Sequence, residues 1–529
     1  MGPSGEPRFE RVTVVNGVVE LPEGRFALAW SGSGEPLEPS ADAQRLAPLD
    51  RVAVSGDLSY AGGHLLPTKA PATHWLAVPA YFVLFHGESL FGLDPDAWWM
   101  VTLNAWLSSA GSVGLLAAFG VALFFRVARR LSGASLRSAL LATLAFAFGT
   151  PFFPYATALF DNDVTAVALL AAFGWGFAAL RAPAGVQRAG LVGAGALAGL
   201  AVTSSYAAGL VLPLFAAYAL WGGGLRGLTS FAAGASLPLA LLAWHHIATL
   251  GTPFATPYGF DDPMFREGEA LLGVFDGPRP GRLLAILLSP YRGIFVAAPV
   301  LLLALGGWLA MWRLPERRVE FVLFAALVGS FLLFNASFNG WHGGWGYAPR
   351  YLIPVLPFLA LPLVFAAQQR PAWVGAFTAL SIVVTGLFTA VDPQTPVGTS
   401  PIATQSHRPG WQHSPLLEYA LPIFVAGRAG PLLPAQGPLS DPAPTLAYFE
   451  GPVSANPIGI YEAWLGQSFA VPGPLASWNA FNVGELWLPG RRASLLVPGL
   501  AIAFAVGGAW RAATPGTKRP ARAGPPTAR

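Results

Sequence analysis

The chain has 529 residues, 54% of them hydrophobic and only 11% charged, and its 31 basic and 27 acidic residues leave a formal net charge of +4. A soluble domain carries about 25% charged residues, so this composition excludes an ordinary water-solvated globule, and so small a net charge gives no reason to expect a nucleic-acid partner. There is no cysteine, which excludes disulfides, thiolate catalysis and cysteine-ligated metal.

Residues 1–73 contain no stretch apolar enough for a signal peptide or a first span. The carboxylates Glu6, Asp50 and Asp57 and the cation Arg8 lie in this segment. The run GDLSYAGGHLLPTKAPATHWLAVPAY, Gly56 to Tyr81, gathers Asp57, His64 and Lys69 just ahead of an apolar segment that begins at Trp75. Gly62, Gly63, Pro67 and Pro71 predict a tight, irregular loop there. An acid beside cations suits a lipid phosphate, with Lys69 as a point charge; the plainer reading is an interfacial loop with solvated charges. Segment 74–92 is apolar but short and holds His86 and Glu88. It reads either as an interfacial or half-buried helix, which we favour, or as a further span.

Beyond it, uncharged apolar stretches of about 18 residues or more recur, the signature of membrane spans. Eleven are read, at 98–125, 138–158, 164–180, 189–204, 206–222, 228–248, 293–312, 321–338, 351–368, 372–390 and 493–510. The fold class is therefore an all-α polytopic membrane protein of about 11–12 transmembrane helices. Short connectors on one side carry Arg126, Arg129, Arg130, Arg137, Arg181, Arg188, Arg226, Arg313, Arg317, Arg318 and Arg370 against Glu316 and Glu320, and the C-terminal tail is basic. Positive connectors stay in the cytoplasm. The expected division is an outer-face segment with an interfacial helix (1–97), a helical membrane core (98–391), an outer-face loop region (392–492), and a last span with a cytoplasmic basic tail (493–529). The cytoplasmic membrane of a bacterium is the expected location.

Polar residues collect at the outer ends of the spans. FDND places Asp161 and Asp163 at one such end. Acids at membrane depth are costly and often functional, although Asp163 also suits a helix N-cap. In NGWHGGWGYAPRYLIP, Asn339 to Pro354, Arg350 is a cation on the outer side, against the charge rule. It calls for a phosphate or an acid such as Asp57 as partner, or else caps carbonyls and anchors the helix among headgroups. Trp341 and His342 read as interfacial aromatics or as a platform for a sugar ring. His245 and His246 read as structural. No Walker loop, HExxH or GxSxG is present.

The run GD…GGHLLPTKAPATHWLAVPAY…LFGLD resembles the loop and helix after the first span of GT-C membrane glycosyltransferases, particularly bacterial relatives of aminoarabinose and protein mannosyl transferases. SPYRGIFVAAPVLLL (289–303) and GGWGYAPRYLIPVLPFLALPL (343–363) resemble segments of the same superfamily. The resemblance implies a first span upstream of residue 1 and an outer loop bearing a catalytic acid in a pattern like Asp-Glu-x-Arg-Tyr. Here the match is GEPRFE, with Glu6, Arg8 and Phe9 but no leading Asp. Glu6, Asp50 or Asp57 then serves as the acid, or this copy is inactive, or the true start lies upstream. The implied reaction moves a sugar from a polyprenyl-phosphate donor to a lipid, glycan or protein acceptor on the outer face. His64, Lys69, Trp341, His342, Arg350, Asp161 and Asp163 join Arg8 as implied substrate contacts; a divalent metal is used by some members and not by others. The alternatives are a non-catalytic assembly subunit and a transporter or flippase of lipid-linked substrate, the latter expected to carry charge at mid-span.

Overall fold

A computed structural model of the chain describes residues 14–15, 18–21, 24–27, 58–61, 64–93, 98–260, 274–344, 346–391 and 414–421, with short helical pieces at 499–500, 503–504 and 507–508. Glu6, Arg8, Asp50 and Asp57 lie outside the described residues, as does most of the 392–492 loop region. Three short strands, β1 (Val14–Val15), β2 (Val18–Leu21) and β3 (Gly24–Ala27), form an antiparallel meander, and β4 (Leu58–Ala61) pairs with β5 (His64–Pro67), setting Ala61 opposite His64.

Everything else regular is helical. Helix α1 (Ala72–Leu90) begins directly after Pro71, whose lack of an N–H costs nothing at a helix start. It presents Val78, Phe82, Val83 and Leu90 outward, a face that needs an apolar solvent. Its opposite face buries Glu88, which accepts a 2.8 Å hydrogen bond from Asn104 on α2 (Trp98–Ser109). A π-helical turn, Ala110–Gly114, joins α2 to α3 (Leu115–Ser132), and Gly133 ends it in a left-handed cap (φ 63°). Helix α4 (Leu136–Phe148) is N-capped by Ser135. A short turn, α5 (Phe152–Tyr155), then leads to α6 (Asp161–Ala179) and α7 (Ala184–Ser204).

Helix α8 (Leu212–Leu250) is continuous in hydrogen bonding yet contains Gly224 at φ 61°, ψ −159°. A Cβ at Gly227 would lie 2.5 Å from the carbonyl oxygen of Ala219. In a straight helix eight residues rise about 12 Å, so the chain reverses at Gly224 and the segment is a helical hairpin. The two apolar stretches at 206–222 and 228–248 are its arms. The second arm lies against α7 through small residues: a Cβ at Gly195 would stand 1.9 Å from the Phe231 oxygen, and one at Gly234 1.9 Å from the Val192 oxygen. Backbones approach this closely only where glycine removes the side chain.

The second half runs α9 (Pro280–Leu288), α10 (Ile294–Ala297), α11 (Leu301–Arg313), α12 (Arg318–Ser337), a 3-10 turn Arg350–Val355, α13 (Leu356–Ala360), α14 (Leu363–Gln369) and α15 (Pro371–Val391). Among the described residues six helices are long and apolar enough to cross a membrane: Leu103–Ser132, Asp161–Ala179, Ala184–Ser204, Tyr206–Leu250, Pro315–Ser337 and Pro371–Ala390. Arg350–Ala360 with Leu363–Gln369, bent by 46°, adds a seventh if that pair is one span. The protein is an all-α polytopic membrane protein. The stretches read as unbroken spans at 138–158, 293–312 and 351–368 are interrupted helices, because Pro151, Pro299, Pro354 and Pro362 remove helix donors within them. The core is aromatic at its centre: Phe124 stacks on Phe146 at 4.3 Å, and Phe173 meets both Phe324 and Phe358 edge to face.

At the end of α6 remote from Asp161, Arg181 pairs with the fully buried Glu320 at 2.8 Å, and Tyr218 donates to the same carboxylate oxygen. This triad joins α6, the first arm of α8 and α12. A buried carboxylate requires such compensation.

Candidate functional site

The first turn of α6 supplies two carboxylates, where negative charge is favoured by the helix dipole. Phe160, in extended conformation, occupies the N-cap position and no side chain caps it. Asp163 therefore lies inside the helix and is not its cap. Its side chain is buried (1% exposed), and neither carboxylate oxygen has a hydrogen-bond partner. Asp161 is half-buried and is acted on by two cations, Lys69 and Arg350, and by the Ser205 hydroxyl. Lys69 also stands 5.7 Å from the Tyr258 ring centre. His74, near the start of α1, is acted on by the charges of Asp161 and Lys69. Lys69 and Asp161, which nothing in the sequence paired, thus interact. His64 is placed only as a backbone position on β5.

Arg350 lies 5.3 Å from the ring centres of both Phe160 and Tyr351. The loop before it wraps its side chain: Cβ atoms at Gly343 and Gly346 would come 3.0 and 3.5 Å from Arg350 carbons. Gly343 (φ 78°) and Gly344 (φ 62°) turn the loop, and Ala348 (φ 56°) is the one non-glycine residue at positive φ among the described residues. Such strain persists only where surroundings over-determine it. Here they do. Arg292, 1% exposed, donates to the carbonyls of Gly346 and Gly344, and Tyr155 donates to the Tyr347 carbonyl at 2.8 Å. Tyr347 in turn donates to the Ala297 carbonyl at 2.7 Å and stacks on Phe388.

His342 sits in this loop with its Nδ1 accepting from the Gly344 N–H at 3.0 Å. Burial, then the charges of Arg292, Arg350 and Arg282, lower its pKa to about 3, so the ring is neutral. Arg282 is itself matched by Asp276, which accepts from it at 2.6 and 3.0 Å and also pairs with Arg279. Trp341 is 4% exposed and edge-on to Tyr291; its ring is inside the core, not at a rim.

The cations Lys69 and Arg350 thus act on Asp161, and the arrangement can hold an anion. Among the described residues no three His, Cys, Asp or Glu side chains gather to hold a metal. Arg292, Arg282, Tyr155, Ser205 and His74 were not singled out from the sequence. Arg292 carried the same signal as Arg350, a lone arginine in an apolar run, SPYRGIFVAAP.

Two solved structures are similar to this chain. One is ArnT from Cupriavidus metallidurans in the apo state, 18% identical, covering 87% of this chain and 76% of that one, with a TM-score of 0.40. The other is the same protein bound to undecaprenyl phosphate, 18% identical, covering 83% of this chain and 74% of that one, with a TM-score of 0.41. No protein-family model matches the sequence, and no curated protein matches it.

Proposed function

We propose that this chain is an integral membrane glycosyltransferase that moves a sugar from a polyprenyl-phosphate donor to a lipid, glycan or protein acceptor on the outer face of a bacterial cytoplasmic membrane. The observation that carries the reading is that the charges of Lys69 and Arg350 both act on Asp161. A site of this charge suits a phosphate carried on a lipid whose tail remains in the bilayer.

In the reaction the acceptor oxygen bonds to the anomeric carbon as the bond from that carbon to the phosphate oxygen breaks. The acceptor proton passes to a carboxylate, and the electron pair leaves with the polyprenyl phosphate. Asp57, Glu6 and Asp50 are the outer-segment carboxylates proposed for that proton. Lys69 and Arg350 stabilise the charge that develops on the departing phosphate. Arg350, held between two rings, is the better oriented of the two. Asp161, tied to Ser205, orients the acceptor or the sugar.

The test is transfer of radiolabelled sugar from polyprenyl-phosphate donors in membranes containing the protein. Wild type is compared with Asp57→Asn, Glu6→Gln, Asp50→Asn and Lys69→Ala at matched protein levels. Loss of transfer in a carboxylate variant establishes the activity and its base. Absence of transfer by the wild type with every donor rejects the proposal in favour of an assembly subunit.

A further inference from the structure

We infer that His342 is a permanently neutral hydrogen-bond donor whose Nε2–H is offered to a phosphate oxygen held beside Arg350. The geometry follows from one main-chain contact. The Gly344 N–H can only donate, and it points at Nδ1 of His342 from 3.0 Å. Nδ1 must then carry a lone pair, and a neutral imidazole keeps its single proton on the other nitrogen. The contact is built by the loop itself, since positive φ at Gly343 and Gly344 turns the chain back on the ring.

The charged groups acting on the ring are Arg292 from the turn before α10, Arg350 from the 3-10 turn, and Arg282 from α9. Two carboxylates are tied to this set: Asp276, engaged by Arg282 and Arg279, and Asp161, on which Arg350 acts. A second proton on the ring would add a further positive charge to that cluster. Nε2 makes no hydrogen bond among the described residues and is not among their sealed, unsatisfied polar atoms, so its N–H is open to a ligand.

A neutral donor has a specific use here. It adds a directed hydrogen bond to an anion already held by cations, without adding charge that would have to be neutralised when the anion leaves. It also remains a donor at every physiological pH. The inference rests on the phosphate reading above. The shared chemistry is a phosphate oxygen, whether lipid-linked or free.

The test uses full-length protein in nanodiscs, labelled with 15N in its histidine rings. The His342 signals are identified by their loss in His342→Gln. Across about pH 4.5 to about pH 8 a protonated Nε2 and an unprotonated Nδ1 are expected, with Nε2 shifting on addition of undecaprenyl phosphate. His342→Gln, which keeps a neutral N–H at similar reach, should hold undecaprenyl phosphate within about threefold of wild type, whereas His342→Leu should bind it about tenfold more weakly or worse. A proton on Nδ1, a doubly protonated ring near pH 5, or wild-type binding by His342→Leu overturns the inference. A shift with inorganic phosphate but not with undecaprenyl phosphate keeps the donor and rejects the lipid-linked source. No shift with either probe overturns the donor role.

Discussion

Tyr155 donates its hydroxyl to the main-chain carbonyl of Tyr347 at 2.8 Å, across 192 positions of sequence. The bond ties the turn before Asp161 to the loop before Arg350, so the acidic and cationic halves of the site share one rigid joint. Tyr155→Phe leaves a buried carbonyl unpaired, which costs about 1–3 kcal/mol. A lower thermal midpoint in detergent is expected, with weaker binding of polyprenyl phosphate. Unchanged stability and binding would show that the joint is not needed.

Arg350 is not replaceable by lysine. Its planar group lies against Phe160 and Tyr351 and is threaded past Gly343 and Gly346, and an ammonium cannot reproduce that stacking. Arg350→Lys should weaken undecaprenyl phosphate binding by about 1 kcal/mol or more. Lys69→Arg should be better tolerated. Binding titrations in nanodiscs compare the two, and equal effects would refute the orientation argument.

The Arg181–Glu320 pair predicts an asymmetric pattern. Arg181→Ala strands a fully buried carboxylate and should destabilise the fold by about 3–5 kcal/mol. Adding Glu320→Leu should restore much of that loss. A double variant no more stable than Arg181→Ala would mean that the arginine acts through its stacking on Phe177 at 3.8 Å. Thermal midpoints of the three variants decide.

Helix α7 and the second arm of α8 pack backbone to backbone. Gly195→Ala or Gly234→Ala places a methyl 1.9 Å from a carbonyl oxygen, and the helices must separate. Each change should lower folded yield and thermal midpoint, the effect of overpacking being about 1–3 kcal/mol or more. Gly375→Ala, with open space around the new methyl, is the control and should be neutral.

His342 predicts how stability depends on acid. The folded ring stays neutral down to about pH 3, while the unfolded ring takes up a proton below its ordinary 6.5. As pH falls through 6.5 the unfolded state gains a proton that the folded state refuses, so stability is lost between about 6.5 and 3 and is fully present above 6.5. The slope from this one group is at most about 1.4 kcal/mol per pH unit. The difference between wild type and His342→Gln isolates it, and a difference that does not vary with pH would exclude the linkage.

The sequence by itself determined that this is a helical membrane protein, because runs without charge are long enough to satisfy every backbone group inside a bilayer. It also made Asp161, Lys69, His342 and Arg350 candidates, because charge or polarity at the ends of apolar runs is expensive. Only the tertiary structure decided what surrounds such residues. Asp163 read equally as a cap, and packing buries it without a partner. Trp341 read as interfacial, and its neighbour Tyr291 places it in the core. Arg292 was not singled out from the sequence, yet its bonds to two carbonyls hold the loop that precedes Arg350. Apolar runs and charge costs are local properties, legible residue by residue. Partners 50 to 200 positions away are chosen by the packing of whole helices, and no local pattern encodes them.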